Sequence, residues 1–582
     1  MIQKNRISIK FGGASGQGIN SIGEIIAKAI KDSGYKLFAY REYPSLIRGG
    51  HASYQIDFSD NNIKSSSAKC DILVCIGRVS LHRYLQDINP GGSLIHILTG
   101  LKLSDEEQKY VEENKINIEF VDVRRIIEEK GWDLIVMNMV LVGLTWKLLG
   151  LKKEEIDEEV TEFFGKDNKY LELDLQALDI GYETKLEKVK PIDITFKKDQ
   201  GWRDSLIISG NHSISLGAVS AGVRAYYAYP MTPASSILSY LASIYHDTGM
   251  LVKQAEDEIT AIEMAIGSMF MGTRALVGTS GGGFDLMTES VSLSGMTETP
   301  MVCILAQRPG PATGIPTWTS ASDLNLAIYS GHGEYSKCVI AVSDSESAYI
   351  QIQKAFNIAE KYQIPVVVLT EKQIAESLFN IKKLPDAVKI ERHLETDDFD
   401  KLKSEDRFEI TSTGISKRWL PGQSDAHFVA NSDEHLEDGT LTEDSGPSKA
   451  MIAKRMKKMD TLLAELPEPE LFGDKKPDVL FVGWGSVKNA VLDTFDILKH
   501  SDSKIKAAYL HYEYIYPLKT EKLLDTVNGV KKVVLVENNY QGQLGDLIRK
   551  ETGYEFEEKL LKYDGRPFFV EDVLDYLGIS NL

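Results

Sequence analysis

Three consecutive carboxylates, Glu256, Asp257 and Glu258, stand at the start of a segment with helical periodicity. The residues that follow are largely apolar or small and fill most of the helix circumference: Ile259, Ala261, Ile262, Met264, Ala265, Ile266 and Gly267. This pattern predicts a helix that packs on several sides. Acids in the first turn of a helix stabilise it by about 0.3–1 kcal/mol each through the helix dipole. Two explanations of these acids therefore stand: they cap the helix, or they do chemistry in a buried site.

A stiff loop earlier in the chain presents a threonine hydroxyl. The sequence YPMTP at 229–233 follows a strand-like run and precedes a helix signal. Its prolines restrict the backbone on either side of Thr232 and so fix the position of the hydroxyl. Ser235 and Ser236 stand where residues that cap a helix are expected, and simple capping is the alternative explanation of this loop.

Two further loops in the same region follow strand-like runs. The sequence GTSGGG at 278–283 predicts a glycine turn that includes Gly281 and Gly282. Arg308 begins a second loop, which proline and glycine make stiff. A guanidinium group at the end of a strand suits a carboxylate, which it binds through two hydrogen bonds.

A glycine-rich loop near the N-terminus follows a strand-like run and precedes an amphipathic helix. Gly13, Gly16 and Gly18 have the spacing G-x-x-G-x-G, which reverses the dinucleotide-binding spacing and lacks the ending of a P-loop. Backbone amides at such a helix start bind anions, and a tight structural turn explains the loop equally well. Arg41, Arg48 and His51 surround a nearby glycine pair and are candidates for a phosphate-bearing ligand, with a solvated loop as the alternative.

Length and composition indicate a soluble globular protein of several domains. The chain has 582 residues and a net charge of −19, which argues against nucleic acid and anionic membranes as partners. Its 4 cysteines form no CxxC pair, so we expect packed thiols and no metal or iron–sulfur site held by this chain alone. Few cysteines and the lack of a signal-peptide pattern predict a cytoplasmic location. The apolar run at 134–151 contains a lysine and predicts a core helix, not a membrane span.

Strand and helix signals alternate in three blocks of the chain, at 1–190, 203–395 and 476–582. This alternation is typical of α/β domains. A charged linker separates the first block from the second. Between the second and third blocks, the segment 396–475 is polar, rich in turn formers and long for a loop, and we interpret it as either a functional excursion or a strap between domains.

As a set, the motifs resemble those of the fused gamma–alpha subunit of a 2-oxoacid:ferredoxin oxidoreductase. They are FGGASGQG and REYPSLIRGGHAS in the gamma-like part, then YPMTPASS, QAEDEITAIEMAIGS, TSGGGFDLMTE and QRPGPATGIPT in the alpha-like part, and finally LPGQSDAHFVANSDEHLEDGTLTED and VENNYQGQLGDLIR. The resemblance covers nearly the whole chain. The family usually has isoleucine at Met231, proline at Gly282, and acidic and glutamine residues within 318–322. These departures bear on substrate preference more than on reaction class.

The resemblance implies a multidomain α/β fold with a role for each block. Residues 1–190 correspond to a gamma-type α/β domain and 203–395 to a domain of the type that binds the pyrimidine ring of thiamine diphosphate. Residues 476–582 correspond to a domain like the C-terminal domain of transketolase.

In thiamine diphosphate enzymes a glutamate meets N1′ of the cofactor's pyrimidine ring and favours the imino tautomer that removes the C2 proton. The family places this glutamate nine residues before a glycine of the same helix. Glu258 and Gly267 have that spacing, which makes Glu258 the predicted catalytic residue. Glu256 is the alternative, and we expect Asp257 to cap the helix.

The resemblance also implies roles for the loops. The 2-oxoacid carboxylate is expected at Thr232 and Arg308, with Tyr229 and Pro230 in the same substrate site. Further predicted contacts are those of Gly281 and Gly282 with thiamine diphosphate, and those of Gly13, Gly16, Gly18, Arg48 and His51 with coenzyme A or another anion.

The chain lacks the GDG segment that normally holds the cofactor's diphosphate through a metal. The resemblance therefore implies a beta subunit that supplies Mg²⁺ and a [4Fe–4S] cluster in a heterotetramer. The expected reaction is CoA-dependent oxidative decarboxylation of a 2-oxoacid with reduction of ferredoxin. We favour 2-oxoglutarate, with pyruvate or broad specificity as alternatives. A self-sufficient transferase of the transketolase kind and a dinucleotide-binding module with a regulatory tail are the competing interpretations.

Overall fold

The computed structural model describes residues 6–45 and 49–579 and has three β-sheets with helices packed on them. It confirms the α/β multidomain architecture that the alternating pattern predicts. The first part of the chain contains β1 (Arg6–Ser15), α1 (Ile19–Asp32), β2 (Lys36–Glu42), β3 (Gly49–Ser59), β4 (Cys70–Cys75), α2 (Arg78–Tyr84), β5 (Ile88–His96), α3 (Asp105–Glu113), β6 (Asn117–Phe120), α4 (Val123–Lys130), α5 (Met137–Leu148), α6 (Lys153–Phe164) and α7 (Leu171–Glu183).

The middle of the chain contains several strands in which every residue is buried. Full burial is typical of parallel strands with helices on both faces. The elements are β7 (Leu206–Ser209), α8 (Gly210–Ser220), β8 (Ala225–Ala228), α9 (Ser235–Ser243), α10 (Tyr245–Thr248), β9 (Leu251–Gln254), α11 (Glu258–Phe270), β10 (Ala275–Thr279), α12 (Gly281–Met296), β11 (Met301–Gln307), α13 (Leu324–Tyr329), β12 (Cys338–Ala341), α14 (Ser345–Tyr362), β13 (Pro365–Glu371), α15 (Lys372–Glu376) and β14 (Leu378–Ile381).

The last part of the chain begins with a long helix that ends the polar segment. Its elements are α16 (Ser445–Glu465), β15 (Glu470–Gly473), β16 (Val479–Trp484), α17 (Val487–Lys499), β17 (Ala507–Tyr512), β18 (Tyr514–Tyr516), α18 (Glu521–Val527), β19 (Lys532–Glu537), α19 (Gln543–Thr552), β20 (Glu558–Leu561) and α20 (Val570–Tyr576). Before α16, residues 382–444 run mostly as irregular chain with short 3₁₀ turns.

The first sheet has the strand order β6-β5-β4-β1-β3-β2-β14-β7. Strands β14 and β7 come from the middle of the chain and extend the sheet beside β2. The first two blocks of the sequence are therefore joined by backbone hydrogen bonds as well as by side chains. The domain bounds drawn from the sequence remain a prediction.

The second sheet has the order β18-β12-β13-β11-β10-β8-β9, and all its pairs are parallel except β12 with β18. The carboxyl ends of parallel strands meet at one edge of a sheet, and the loops that follow them form the usual ligand site of an open α/β fold. The loops after β8, β9, β10 and β11 are those that the sequence analysis singled out. The third sheet, β15-β17-β16-β19-β20, packs beside this edge.

A buried charge cluster, which we call the strap anchor, fixes α16 to the second sheet. Glu298 is fully buried after α12, and its carboxylate forms ion pairs with Lys454 and Lys458 of α16. The Lys454 Nζ–Glu298 Oε2 distance is 2.7 Å. Arg407, from the polar segment, donates to the Glu298 carbonyl over 3.1 Å. The polar segment is thus tied to the fold by buried charge and is not a loose linker.

One sequence expectation needs correction. Helix α11 buries Ala261, Ile262, Ala265, Ile266 and Met269, but it does not pack on several sides. Ile259 and Met264 are 46% and 37% exposed, and Gly267 is exposed as well. The periodicity of a sequence cannot distinguish an apolar helix face that packs on the core from one that does not. The pattern therefore predicts more packing for this helix than the structure has.

Two other expectations are confirmed. The apolar run at 134–151 forms a short 3₁₀ turn and then α5, which is almost entirely buried. The four cysteines, Cys70, Cys75, Cys303 and Cys338, are buried and free. Across the described ranges, 6–45 and 49–579, none of the helices combines the length and the apolar character needed to span a membrane.

Candidate functional site

The candidate site lies at the carboxyl edge of the second sheet. Four parallel strands end there, and the loops that follow them carry Thr232 after β8, Glu258 after β9, Gly281 after β10 and Arg308 after β11. The order of these strands, β11-β10-β8-β9, makes their loops neighbours. The fold therefore brings together residues that are up to 76 positions apart in the chain.

The three carboxylates at the start of α11 have different surroundings. Asp257 is the N-cap, and its carboxylate accepts a hydrogen bond from the Thr260 N–H over 2.7 Å. Glu256 is exposed, whereas Glu258 is only 6% exposed. Among the described residues, none donates a hydrogen bond to the Glu258 carboxylate. This arrangement favours Glu258 over Glu256 for chemistry in a dry site and confirms Asp257 as the cap.

The glycine turn at the start of α12 packs against Glu258. A Cβ atom at Gly283 would lie 2.7 Å from Glu258 Oε1 and would also collide with Thr279 Oγ1. At Gly282, in contrast, a Cβ atom would meet nothing within 4 Å. The hydroxyls of Thr279 and Ser280 are buried without a hydrogen-bond partner in this structure. We call this turn the glycine cradle. It has buried polar atoms without hydrogen-bond partners close to it and open space at the Cβ position of Gly282.

Arg308 and Thr232 are in direct contact. Arg308 Nη1 donates a hydrogen bond to the Thr232 carbonyl over 2.9 Å. Burial lowers the pKa of Arg308, and the carboxylate of Asp323 opposes this effect. Tyr229 and Pro230 are exposed beside them. The predicted substrate residues thus lie together at the carboxyl edge of the second sheet.

The predicted capping by Ser235 and Ser236 is wrong. Ala234 is the N-cap of α9, and no side chain caps this end. Ser236 Oγ instead accepts a hydrogen bond from Asn211 Nδ2 over 2.7 Å. Asn211 also donates to the Pro233 carbonyl, so it holds the loop and the helix together.

Asp323 is a site residue that the sequence analysis missed. Its Oδ2 atom is buried without a hydrogen-bond partner and would lie 2.7 Å from a Cβ atom at Gly281. Its backbone N–H donates to Gln307 Oε1 over 2.9 Å. No spacing rule marks this aspartate in the sequence, because its position depends on how the loop at 308–323 folds back.

The segment at 318–322, where the sequence departs from the family pattern, packs at a junction of all three sheets. Thr319 Oγ1 donates to Glu371 Oε2 over 3.0 Å, and Glu371 also accepts from the Ser486 N–H over 2.9 Å. Burial raises the pKa of Glu371. The Arg566 guanidinium stacks on the Trp318 ring with 3.4 Å between the guanidinium carbon and the ring centroid. The departures within 318–322 therefore lie where the sheets meet, unlike those at Met231 and Gly282.

The predicted anion-binding glycines have unequal surroundings. A Cβ atom at Gly13 would lie 2.7 Å from Ile19 Cδ1, and one at Gly18 would collide with Asn138. Gly16 has a φ of +91° with nothing within 4 Å of its Cβ position. Packing alone explains Gly13 and Gly18, whereas Gly16 leaves the loop open to a ligand.

Pairing of β1 with β3 sets this glycine loop beside His51, since Gly13 pairs with Ala52. The His51 ring lies 6.3 Å from the Trp318 ring, and its Nε2 atom is buried without a partner. Burial is the main cause that lowers the pKa of His51. Arg48 lies outside the described residues. The N-terminal candidates therefore border the Arg308 loop rather than a separate site.

The residues at the sheet edge fit one end of thiamine diphosphate. A buried carboxylate without a partner, a glycine cradle and two unsatisfied hydroxyls suit a flat polar ring. Within residues 6–45 and 49–579, no group of three or more His, Cys, Asp or Glu side chains is placed to hold a metal ion.

We expect Gly283→Ala to destabilise the chain by about 1–3 kcal/mol, because the added methyl group overpacks the contact with Glu258 and Thr279. The matched control is Gly282→Ala, which has open space and lies in the same helical turn. That variant should be neutral or slightly stabilising, since alanine favours helix over glycine. Midpoints of denaturant unfolding measure both effects, and equal midpoints for the two variants would contradict the packing described here.

Comparisons with known proteins agree with this geometry. The family described as pyruvate flavodoxin/ferredoxin oxidoreductase, thiamine diP-bdg, matches residues 216–453, and the family described as pyruvate ferredoxin/flavodoxin oxidoreductase matches residues 8–184. The alpha subunit of a 2-oxoacid:ferredoxin oxidoreductase from a Sulfolobus species is 31% identical, over 98% of this chain and 96% of that protein. The 2-oxoglutarate oxidoreductase subunit KorA of Mycobacterium tuberculosis is 26% identical, over 93% of this chain and 87% of that protein.

Among solved structures, the 2-oxoglutarate:ferredoxin oxidoreductase from Magnetococcus marinus, with 2-oxoglutarate, coenzyme A and succinyl-CoA bound, matches with a TM-score of 0.90 and 28% identity. The match covers 99% of this chain and 100% of that chain. The resemblance drawn from the motifs is thereby confirmed. Because the similarity extends over nearly the whole of each chain, this protein belongs to the alpha subunits of the 2-oxoacid:ferredoxin oxidoreductases.

Proposed function

We propose that this chain is one subunit of an enzyme that converts a 2-oxoacid, CoA and oxidised ferredoxin into an acyl-CoA, CO₂ and reduced ferredoxin. We favour 2-oxoglutarate as the substrate. This choice is supported by the bound 2-oxoglutarate and succinyl-CoA named for the similar structure from Magnetococcus marinus. The alternative is pyruvate or a broad range of 2-oxoacids, because one relative is named for 2-oxoacids in general and another for 2-oxoglutarate.

One observation carries the proposal. The buried carboxylate of Glu258 and the Arg308–Thr232 pair lie at the same carboxyl edge of the second sheet. An acid for activating a cofactor and a cation for binding a carboxylate are the two groups that this reaction needs from the chain. Neither competing interpretation, the self-sufficient transferase or the dinucleotide-binding module, requires both.

Each residue has a defined task in this proposal. Glu258 holds a proton against N1′ of the pyrimidine ring, and the packing of Gly283 against its side chain fixes its position. Arg308 binds the carboxylate of the 2-oxoacid, while Thr232 holds the guanidinium in place through its carbonyl. Thiamine diphosphate, when bound, would supply a nucleophilic carbon for the 2-oxo group and an electron sink for decarboxylation, and the electrons passed to ferredoxin would come from the substrate.

A beta subunit is the proposed source of Mg²⁺ and a [4Fe–4S] cluster, and the assembly is a heterotetramer. The exposed face of α11 and the neighbouring α12 supports this partner. Ile259 and Met264 are exposed there, and Met271 and Leu286 are 53% and 52% exposed nearby. Such a cluster of apolar side chains next to a candidate site is typical of a protein interface. The beta subunit would close the site from this side.

Coenzyme A is proposed to approach from the N-terminal glycine loop. The proposal is supported by the open, left-handed Gly16 and by the position of His51 beside Trp318. Both border the Arg308 loop, where the acyl group would be transferred. Backbone amides at the start of α1 suit the phosphates of this ligand.

The experiment that tests the function is a turnover assay of the complete enzyme, purified with its beta subunit. Reduction of ferredoxin should require CoA and a 2-oxoacid, with 2-oxoglutarate used more efficiently than pyruvate. Turnover by this chain alone with thiamine diphosphate and Mg²⁺ would contradict the two-subunit proposal and favour the self-sufficient transferase.

In the same enzyme we expect Arg308→Met to raise the KM for the 2-oxoacid roughly tenfold to a hundredfold, because loss of a charge-assisted hydrogen bond costs about 1.5–3 kcal/mol. The KM for CoA should stay unchanged, since CoA is proposed to bind elsewhere. Steady-state kinetics with each substrate varied in turn measure both constants. Wild-type KM for the 2-oxoacid in this variant would remove Arg308 from the substrate site.

A further inference from the structure

The carboxylate of Asp323 lies in the candidate site but has no task in the reaction proposed above. Its backbone is tied to Gln307, the last residue of β11, so the side chain is held beside Arg308. Its Oδ2 atom is buried without a partner and touches the glycine turn at Gly281. Asp323 and Arg308 form no direct ion pair, because Arg308 Nη1 is turned to the Thr232 carbonyl.

Two charged groups act on this carboxylate from the elements around it. Arg308 at the end of β11 lowers the pKa of Asp323, and Asp285 in α12 raises it. Burial has the largest effect, and the pKa of Asp323 is raised to about 6. Helix α13, which follows Asp323 directly, has the sequence LNLAIY and contributes no charge. The protonation state of Asp323 therefore changes within the range in which enzymes are assayed.

We propose that Asp323 is a positioning residue that competes with the substrate carboxylate for Arg308. In its ionised form it attracts the guanidinium and repels the anionic substrate. In its protonated form it no longer attracts Arg308, and it donates a hydrogen bond to the incoming carboxylate. The inference rests on the proposed function, because it takes Arg308 as the group that binds the 2-oxoacid.

The geometry makes this competition unavoidable if the substrate carboxylate binds Arg308. Both carboxylates then act on one guanidinium, and two like charges close to each other cannot both be ionised without cost. The effect is also reciprocal, so a bound substrate must raise the affinity of Asp323 for its proton. Asp323 thus acts on substrate binding and not on the later steps.

The sign of the pH dependence follows from the ionisation of Asp323. A 2-oxoacid is already anionic above pH 5, because α-carboxyl groups titrate below about pH 4. The KM for the 2-oxoacid should therefore be low below about pH 6 and should rise roughly fivefold as Asp323 loses its proton, a factor typical of partly exposed charge pairs. The KM for CoA should show no such rise.

The test is the pH profile of KM and kcat for 2-oxoglutarate in the complete enzyme, for the wild type, Asp323→Asn and Asp285→Asn. Asparagine resembles the protonated aspartate, so Asp323→Asn should keep the low KM at every pH. Asp285→Asn removes an exposed negative charge, and the rise in KM should persist but move to lower pH. In both variants kcat at a given pH should stay within about threefold of the wild type, since the effect is on binding.

The outcomes separate the inference from the proposed function. A wild type without any 2-oxoacid-dependent turnover overturns the proposed function and the inference with it. Wild-type turnover with an unchanged KM profile in Asp323→Asn overturns the inference alone. If Asp323→Asn fails to fold, the Asp285→Asn profile decides: a shifted rise supports the inference, and an unshifted rise overturns it.

Discussion

Replacing Glu258 with glutamine should slow exchange of the C2 proton of thiamine diphosphate by roughly 10²–10⁴-fold in the complete enzyme, the range for loss of a positioned acid–base group. Glutamine keeps the shape of the side chain and a hydrogen bond to the pyrimidine ring, but it cannot pass a proton to N1′. The measurement is exchange with D₂O followed by NMR after acid quench. The buried position of Glu258 beside Gly283 is the structural reason for this expectation.

Two neighbouring acids provide matched controls. Glu256 is exposed and Asp257 caps the helix, so Glu256→Gln and Asp257→Asn should leave exchange nearly unchanged. Asp257→Asn should cost less than about 1 kcal/mol of stability, because asparagine is also a good N-cap. Fast exchange in Glu258→Gln with slow exchange in Glu256→Gln would transfer the role to Glu256.

The stability of the variant distinguishes chemistry from structure. The Glu258 carboxyl group accepts no hydrogen bond from the described residues, so it contributes little to holding the fold. The midpoint of unfolding of the isolated chain should therefore not fall in Glu258→Gln, because glutamine has nearly the same size and shape. A large loss of stability together with fast exchange would identify Glu258 as a structural residue.

Much of this site could be predicted from the sequence because each of its loops follows a recognisable strand. The runs before Thr232, Gly281 and Arg308 are apolar and short, and each leads into proline or glycine. Parallel pairing then brings such loops to one edge without further information. The choice between Glu256 and Glu258 came from spacing in the family pattern, and the difference in their burial is consistent with it.

Other features depend on contacts that no local pattern encodes. The sequence pattern predicts that the exposed face of α11 is buried, because an exposed apolar residue cannot be distinguished from a core residue in the sequence. Ser236 accepts a hydrogen bond from Asn211 and does not cap the helix, and these two residues are 25 positions apart. Asp323 enters the site only because the loop at 308–323 folds back onto Gln307. The last two cases depend on contacts between distant residues, and the first depends on the lack of such contacts.

The polar segment shows the same limit most clearly. Its sequence is rich in turn formers and predicts a strap, but the strap anchor depends on Glu298, about 100 residues before it. Burial alone would raise the pKa of Glu298, yet the ammonium groups of Lys454 and Lys458 outweigh burial and hold it well below its usual range. Burial also lowers the pKa of Lys454, to about 7. The three groups are therefore stable inside the protein only together.

Replacing Glu298 with glutamine should destabilise the chain by about 3–5 kcal/mol, the cost of leaving buried charges without their partner. Lys454, Lys458 and Arg407 would then face one another around a neutral side chain. The control is Glu465→Gln at the end of α16, where the pair with Lys361 is largely exposed and worth less than about 1 kcal/mol. Denaturant unfolding of the isolated chain measures both variants.

A second variant tests whether buried charge, and not lost packing, causes the effect. Changing Glu298, Lys454 and Lys458 together to methionine removes the charges and keeps most of the volume, so it should recover much of the stability lost in Glu298→Gln. If the triple variant is less stable than Glu298→Gln, the hydrogen bonds of the cluster stabilise the fold beyond the pairing of its charges. If Glu298→Gln costs no more than Glu465→Gln, the cluster does not hold α16, and the attachment of the strap must come from its other contacts.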